Sequence, residues 1–98
     1  MSNRNEHRLS DLIDAALRRY SFSDTVVCGQ VEGAYRKVVG EMINKLTYRC
    51  DYVPQTRVLY VKMASPALRN EMTMHASGLV ESINKTVGRA EVRHVVFR

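Results

Sequence analysis

The chain has 98 residues, of which 45% are apolar, and its formal net charge is +5 at pH 7. This length fits one domain, and the apolar content is too high for a disordered protein. The positive charge favours anionic partners, of which nucleic acid is the most common. Eleven of the fifteen cations are Arg, whose planar guanidinium contacts phosphate with two nitrogens and also stacks on bases.

The sequence predicts a cytoplasmic protein without a membrane segment. Its N-terminus contains no apolar run of the kind that a signal peptide requires, and no stretch approaches the length of a membrane span. The two cysteines, Cys28 and Cys50, form no CxxC pair, which is typical of reduced thiols in the cytoplasm. We expect a single domain over residues 1–98, with residues 1–8 as a flexible N-terminal segment.

Two helices are predicted in the first half of the chain. Apolar residues recur at steps of three and four between Leu9 and Tyr20, which is typical of one helical face. Ser21–Asp24 indicates a break followed by an N-cap, and a second helix follows. Gly40 is expected to end or bend that helix, which leaves Glu41–Lys45 as a short extra turn. The apolar face of the second helix contains Val27, Val31, Ala34, Tyr35, Val38, Met42 and Leu46.

The apolar period then shortens to two residues, which indicates strands. Thr47–Val53 and Arg57–Met63 both alternate and are separated by the turn Pro54–Thr56, so an antiparallel hairpin is predicted. In the first strand one face carries Tyr48, Cys50 and Tyr52, and the other carries Thr47, Arg49 and Asp51. In the second strand one face carries Leu59, Val61 and Met63, and the other carries Val58, Tyr60 and Lys62.

Ser65 and Pro66 mark the clearest helix start in the chain. Ser caps a helix, and Pro in the first turn lacks only an N–H that would be unpaired there. One unbroken helix is predicted to continue to Gly88, a natural C-terminal stop. Its apolar stripe contains Leu68, Met72, Ala76, Leu79, Ile83 and Val87. The Val-rich run Glu91–Phe97 predicts a final strand.

The predicted fold class is α+β, with the order α-α-β-β-α-β. A β-α-β crossover is right-handed in nearly all proteins, which places the last strand parallel to its predecessor in the same sheet. We therefore expect a three-stranded mixed sheet with the helices packed on one face.

The sequence carries no motif of a known catalytic or metal site. His7, His75 and His94 are far apart along the chain. There is no HExxH zinc motif, no Gly-rich phosphate loop and no GxSxG nucleophile motif. We therefore expect no enzyme, no metal and no cofactor.

The basic residues form a more informative pattern. Arg49, Lys62 and Arg93 fall at non-core positions of three successive predicted strands, and Tyr60 lies on the outward side of the middle one. A sheet face of cations with an aromatic among them can follow a phosphate backbone and stack a base. The alternative is that these cations only keep an exposed sheet soluble. With the basic C-terminal end included, the candidate nucleic-acid-binding residues are Arg49, Tyr60, Lys62, Lys85, Arg89, Arg93 and Arg98.

Five short segments carry a resemblance to a known family. They are Ala34–Gly40, Leu59–Met63, Ser65–Met72, Asn84–Gly88 and Val95–Arg98. Their order and spacing resemble those of the bacterial DciA-like family (domain of unknown function 721). That family has an aromatic-x-x-Val-Val-Gly signature, a Leu-x-Val-x-Val strand and an Asn-x-x-hydrophobic-Gly turn. Here Tyr35 stands where the family usually has Trp.

The resemblance implies a KH-like domain and a non-enzymatic role in bacterial DNA replication. It implies two partners, single-stranded DNA and the replicative helicase of the DnaB type, whose loading such proteins assist. No GxxG loop, which a true KH domain uses to hold the RNA backbone, lies between two predicted helices. A KH-like fold therefore does not imply RNA recognition of the KH type here. Two alternatives stay open, an RNA-binding module and a protein-interaction domain whose basic charge is incidental.

Overall fold

The computed structural model describes residues 22–98, and both the first predicted helix and the segment 1–8 lie outside them. Over the described range the chain forms three helices and three strands. We number them α1 (Phe22–Lys45), β1 (Thr47–Val53), β2 (Val58–Met63), α2 (Pro66–Met74), α3 (Ala76–Val87) and β3 (His94–Phe97). None of these three helices is both long enough and apolar enough to cross a lipid bilayer.

The sheet confirms the predicted fold class. Its strand order is β1-β2-β3, with β1 antiparallel to β2 and β3 parallel to β2. The helices pack against one face of this sheet. The hairpin turn closes at Arg57, whose φ is 59° and whose N–H donates to the C=O of Val53 at 2.8 Å. Strand β2 consequently begins at Val58, one residue later than predicted.

Helix α1 bends at Gly40, as the sequence predicts. Gly40 has φ 84° and ψ 172°, a backbone conformation that is almost confined to glycine. Before the bend Val31 and Tyr35 are fully buried, whereas Met42 beyond it is 78% exposed. The prediction that Met42 and Leu46 continue the apolar face was wrong, because beyond the bend Ile43, and not Met42, packs against the core.

The N-terminal part of α1 also differs from the prediction. Phe22, Ser23 and Asp24 are already helical, where the sequence indicated a break and an N-cap. Asp24 lies in the first turn, where a carboxylate interacts favourably with the positive end of the helix dipole. The acidic side chain therefore marks the first turn of this helix instead of its cap.

A β-bulge in β1 changes which side chains face the core. Thr47 pairs with Met63 and Arg49 pairs with Lys62, so Tyr48 is an extra residue between two neighbouring pairs. Thr47 is buried and Tyr48 is 67% exposed, which reverses the faces predicted for both. Beyond the bulge the predicted alternation of β1 holds, because the extra residue changes only the start of the strand.

The predicted C-terminal helix is broken at His75, so the prediction of one unbroken helix was wrong. His75 separates α2 from α3 and has φ −104° and ψ 8°. A single helix over residues 66–87 would be about 33 Å long. The six residues of β2 span only about 20 Å. The break lets α2 pack on β2 and β3 while α3 packs against α1 and β3.

Strand β3 is shorter than the predicted Glu91–Phe97 because Asn84 holds the chain before it. Oδ1 of Asn84 accepts hydrogen bonds from the N–H groups of Glu91 (3.1 Å) and Val92 (2.7 Å). Its Nδ2 donates to the C=O of Val92 at 2.9 Å. These backbone groups are therefore not part of the sheet, and the strand begins at His94.

Candidate nucleic-acid interface

Three cations form a row across the sheet face that α1, α2 and α3 leave uncovered. Arg49 on β1 lies opposite Lys62 on β2. Arg98 follows β3 and continues its pairing with β2, because its N–H donates to the C=O of Val61 and its C=O accepts from the N–H of Met63. This register puts Arg98 beside Lys62 on the other side of β2. All three side chains are exposed, and we call Arg49, Lys62 and Arg98 the cation row.

Tyr60 lies one row further along the same face, between Asp51 on β1 and Val96 on β3. The guanidinium carbon of Arg98 is 4.8 Å from the centre of the Tyr60 ring, which is within the range of a cation–π contact. One side of the ring is therefore covered. The surrounding side chains form a shallow depression of about 390 Å³ that is lined by Arg49, Asp51, Tyr60, Lys62 and Arg98.

The charge of this depression is positive. Nε of Arg49 lies 3.2 Å from Oδ2 of Asp51, but both side chains are substantially exposed, so the ion pair contributes little to stability. Within residues 22–98 no carboxylate forms an ion pair with Lys62 or Arg98. A phosphate group can therefore contact Lys62 and Arg98 without displacing a carboxylate of residues 22–98 from either of them.

The structure does not bring the other three candidate cations to this face. Arg93 precedes β3, and its N–H donates to the C=O of Arg57 at the opposite end of the sheet. That end is about 16 Å along the strand from the cation row. Arg89 pairs with Glu91 at 3.2 Å, and Lys85 lies on α3 in the helix layer. The candidates that meet are Arg49, Tyr60, Lys62 and Arg98.

Sequence reasoning missed Tyr48 as an exposed residue next to Arg49 of the cation row. The alternation of Tyr48, Cys50 and Tyr52 fits an unbulged strand, and a tyrosine is acceptable on either face of a sheet. The available signal was the position of the residue near the start of an edge strand, because bulges are frequent at sheet edges. With the bulge in place, Tyr48 and Arg49 are neighbouring exposed residues between the buried Thr47 and Cys50.

A second polar cluster lies at the edge of β1, and it stabilises the fold. The N–H of Tyr52 donates to Oε2 of Glu32 on α1 at 3.0 Å, and the hydroxyl of Tyr52 donates to Oε2 of Glu91 at 2.6 Å. Burial raises the pKa of Tyr52 and of Glu32, whereas the hydrogen bond from Tyr52 lowers the pKa of Glu91. Burial also raises the pKa of Cys50 to about 12, so its thiol stays neutral.

Neither polar site resembles a metal centre, since residues 22–98 contain no group of three or more His, Cys, Asp or Glu side chains that could hold a metal ion.

The sequence matches the family described as "Dna[CI] antecedent, DciA" over residues 8–97. This chain belongs to the DciA family. The resemblance carried by the five segments is thereby confirmed, although no curated protein and no solved structure matches this DciA chain.

Membership in the DciA family implies a role in loading the replicative helicase of the DnaB type during DNA replication.

The structure gives a physical reason for several of the segments that resemble the family. Tyr35 fills the core beneath the sheet, and Gly40 makes the bend in α1. Asn84 holds the chain before β3, and Gly88 ends α3 in the left-handed conformation with φ 93°. These positions determine the fold of the DciA domain, and none of them belongs to the cation row.

Proposed function

We propose that this DciA-family domain is a non-enzymatic adaptor of the replicative helicase that binds single-stranded DNA on the open face of its sheet. The observation that carries the DNA part is the cation row of Arg49, Lys62 and Arg98, with Tyr60 in the next row. Family membership supports the helicase part. The proposed partners are therefore an unpaired strand and a helicase of the DnaB type.

The chemistry of this face suits a phosphate backbone. Each cation that neutralises a phosphate releases a counterion, so the affinity should fall linearly with salt on a logarithmic scale, by about 0.7 per contact on a single strand. Since the row has three cations, the full slope should be no steeper than about −2. Contacts with phosphates do not depend on the base sequence, which suits a protein that binds DNA wherever a helicase is loaded.

Fluorescence anisotropy with a labelled oligothymidylate at several salt concentrations tests the DNA part. Lys62→Gln and Arg98→Gln should each weaken binding and flatten the salt slope by about 0.7. Lys85→Gln and Arg93→Gln make the same change of charge away from the row, and they should leave the slope as it is. If all four variants bind alike, or if the protein retains no oligonucleotide at low salt, the proposed DNA surface is wrong.

Two further measurements distinguish the proposed function from an RNA-binding module and from a protein-interaction domain. Competition with an RNA strand of matched length distinguishes a DNA-binding adaptor from an RNA-binding module, which would prefer the RNA. Capture of a purified helicase of the DnaB type on the immobilised domain tests the protein contact. An adaptor binds both the strand and the helicase, whereas a protein-interaction domain with incidental charge binds the helicase alone.

A further inference from the structure

The bulge in β1 leaves an aromatic ring exposed at Tyr48, the residue that precedes Arg49 of the cation row. Thr47 and Cys50 are both buried, and the extra residue in the strand leaves Tyr48 and Arg49 as consecutive exposed side chains between them. In a regular strand two consecutive side chains point to opposite faces, and one of the two would enter the core. Bulges re-aim side chains in this way next to binding sites.

Tyr48 and Tyr60 differ in their exposure and in the contacts of their rings. Tyr48 is 67% exposed and makes no hydrogen bond or cation–π contact with any residue of the described range. Tyr60 is only partly exposed, and the guanidinium of Arg98 already lies over its ring at 4.8 Å. A base can therefore stack on Tyr48 without displacing any group of residues 22–98, whereas one side of Tyr60 is already occupied.

We infer that Tyr48 is the residue by which this face selects an unpaired strand, by stacking on a base whose phosphates contact the cation row. This inference rests on the proposed function and adds a specificity-determining residue to it. The cations attract the phosphates of single and double strands alike. An unpaired base offers its π-face to an aromatic ring, but a base inside a duplex is stacked on its neighbours and is not accessible.

Three labelled probes of equal length test the role of Tyr48: an oligothymidylate, a strand in which every position is abasic, and a duplex. Tyr48→Ala should weaken binding of the oligothymidylate by about five- to 150-fold, which is the usual effect of removing one base–aromatic stack. It should leave binding of the abasic strand and the duplex unchanged, because neither offers an accessible base. Tyr48→Phe keeps the ring and should bind the oligothymidylate like the wild type.

Phe22→Ala is the matched control. Phe22 is an exposed aromatic residue at the N-terminal end of α1, whereas Tyr48 lies shortly after the C-terminal end of that helix. It should bind all three probes like the wild type. Thermal melting of each variant checks that the fold is intact, which is expected for an exposed ring.

The outcomes separate this inference from the proposed function. If the wild type binds and depends on Lys62 and Arg98 but Tyr48→Ala binds the oligothymidylate normally, the inference is wrong and the proposed function stands. An equal loss with the abasic strand would also overturn stacking. If the wild type binds none of the probes, both ideas fail together.

Discussion

The hydroxyl oxygen of Tyr35 lies 3.0 Å from Oγ1 of Thr47, and both residues are buried between α1 and the sheet. The Thr47 hydroxyl also lies 3.0 Å from the C=O of Ile43, to which it donates. The Tyr35 hydroxyl is therefore the donor to Thr47. The bulge makes this contact possible, because it turns Thr47 into the core.

This direction of donation predicts unequal effects of two conservative substitutions. Thr47→Val leaves the buried Tyr35 hydroxyl with only Sδ of Met63, at 4.0 Å, and should destabilise the fold by about 1–3 kcal/mol. Tyr35→Phe keeps the hydrogen bond of Thr47 to Ile43 and should cost about 1 kcal/mol. Tyr35→Ala also opens a cavity and should cost about 3–5 kcal/mol. Urea unfolding of the three variants measures the order, and Tyr35→Phe as the costliest would contradict it.

The contact of Tyr52 with Glu91 predicts a pH-dependent contribution to stability. The pKa of Glu91 lies below its ordinary value of 4.5, so the contribution is present above that value and is lost as pH falls through the lowered pKa. Tyr52→Phe should reduce the free energy of unfolding by about 1 kcal/mol at neutral pH, since Glu91 is still partly exposed to water. The difference from the wild type should shrink in acid, and urea unfolding at several pH values measures it.

Glu32→Gln is the matched control for this titration, because the pKa of Glu32 is shifted in the opposite direction. Burial raises it above 4.5, so protonation of Glu32 favours the folded state and its contribution to stability rises as pH falls. The wild type should therefore lose less stability in acid than Glu32→Gln does. Identical acid profiles for these two proteins would contradict the assignment.

Asn84 predicts a local effect on the chain before β3. Asn84→Ala removes the partner of three backbone groups in Glu91 and Val92 and should cost about 2 kcal/mol or more. Asn84→Asp keeps the acceptor but loses the donor, so its cost should be smaller. Amide hydrogen exchange should become faster at Glu91 and Val92 in the alanine variant. Unchanged exchange at both amides would show that the sheet, and not Asn84, holds this segment.

Two glycines of α1 predict opposite effects of the same substitution. Gly40 has a positive φ, so Gly40→Ala strains the backbone and should destabilise by about 1–3 kcal/mol although its surroundings are open. Gly33 is an exposed helical residue with nothing near an added Cβ, so Gly33→Ala should stabilise by about 1 kcal/mol. Thermal melting of both variants checks the signs, and a stabilised Gly40→Ala would contradict the bend.

The sequence predicted the hairpin, the parallel last strand and the bend at Gly40, because each has a local chemical signal. It did not predict the break at His75, since Met72 and Leu79 stay in phase with one helical stripe on either side of it. The break lets the two halves pack against different elements, which is a tertiary property. Periodicity reports which face is apolar and does not report where a helix must stop.

The candidate site was predicted for β1 and β2 and only partly for β3. Arg49 and Lys62 were placed on the open face by alternation and by the hairpin. Val95 and Phe97 are buried, so the alternation of the strand puts Val96 and Arg98 on the uncovered face. Arg93 has the same parity as the two buried residues and would lie on the covered face even if the strand began earlier. The alternation of Tyr48, Cys50 and Tyr52 does not indicate the bulge, because a tyrosine is acceptable on either face of a sheet.

The parallel pairing of β3 also has a consequence for folding. Strands β1 and β2 are joined by a short turn, whereas Val58 of β2 pairs with His94 across the whole α2–α3 crossover. Closing this long loop costs more chain entropy than closing the hairpin, so docking of β3 should be the slower event. A chain in which β3 has detached keeps Arg49 and Lys62 together but loses Arg98. Under the proposed function, the affinity for a phosphate backbone should therefore depend on the docking of the last strand.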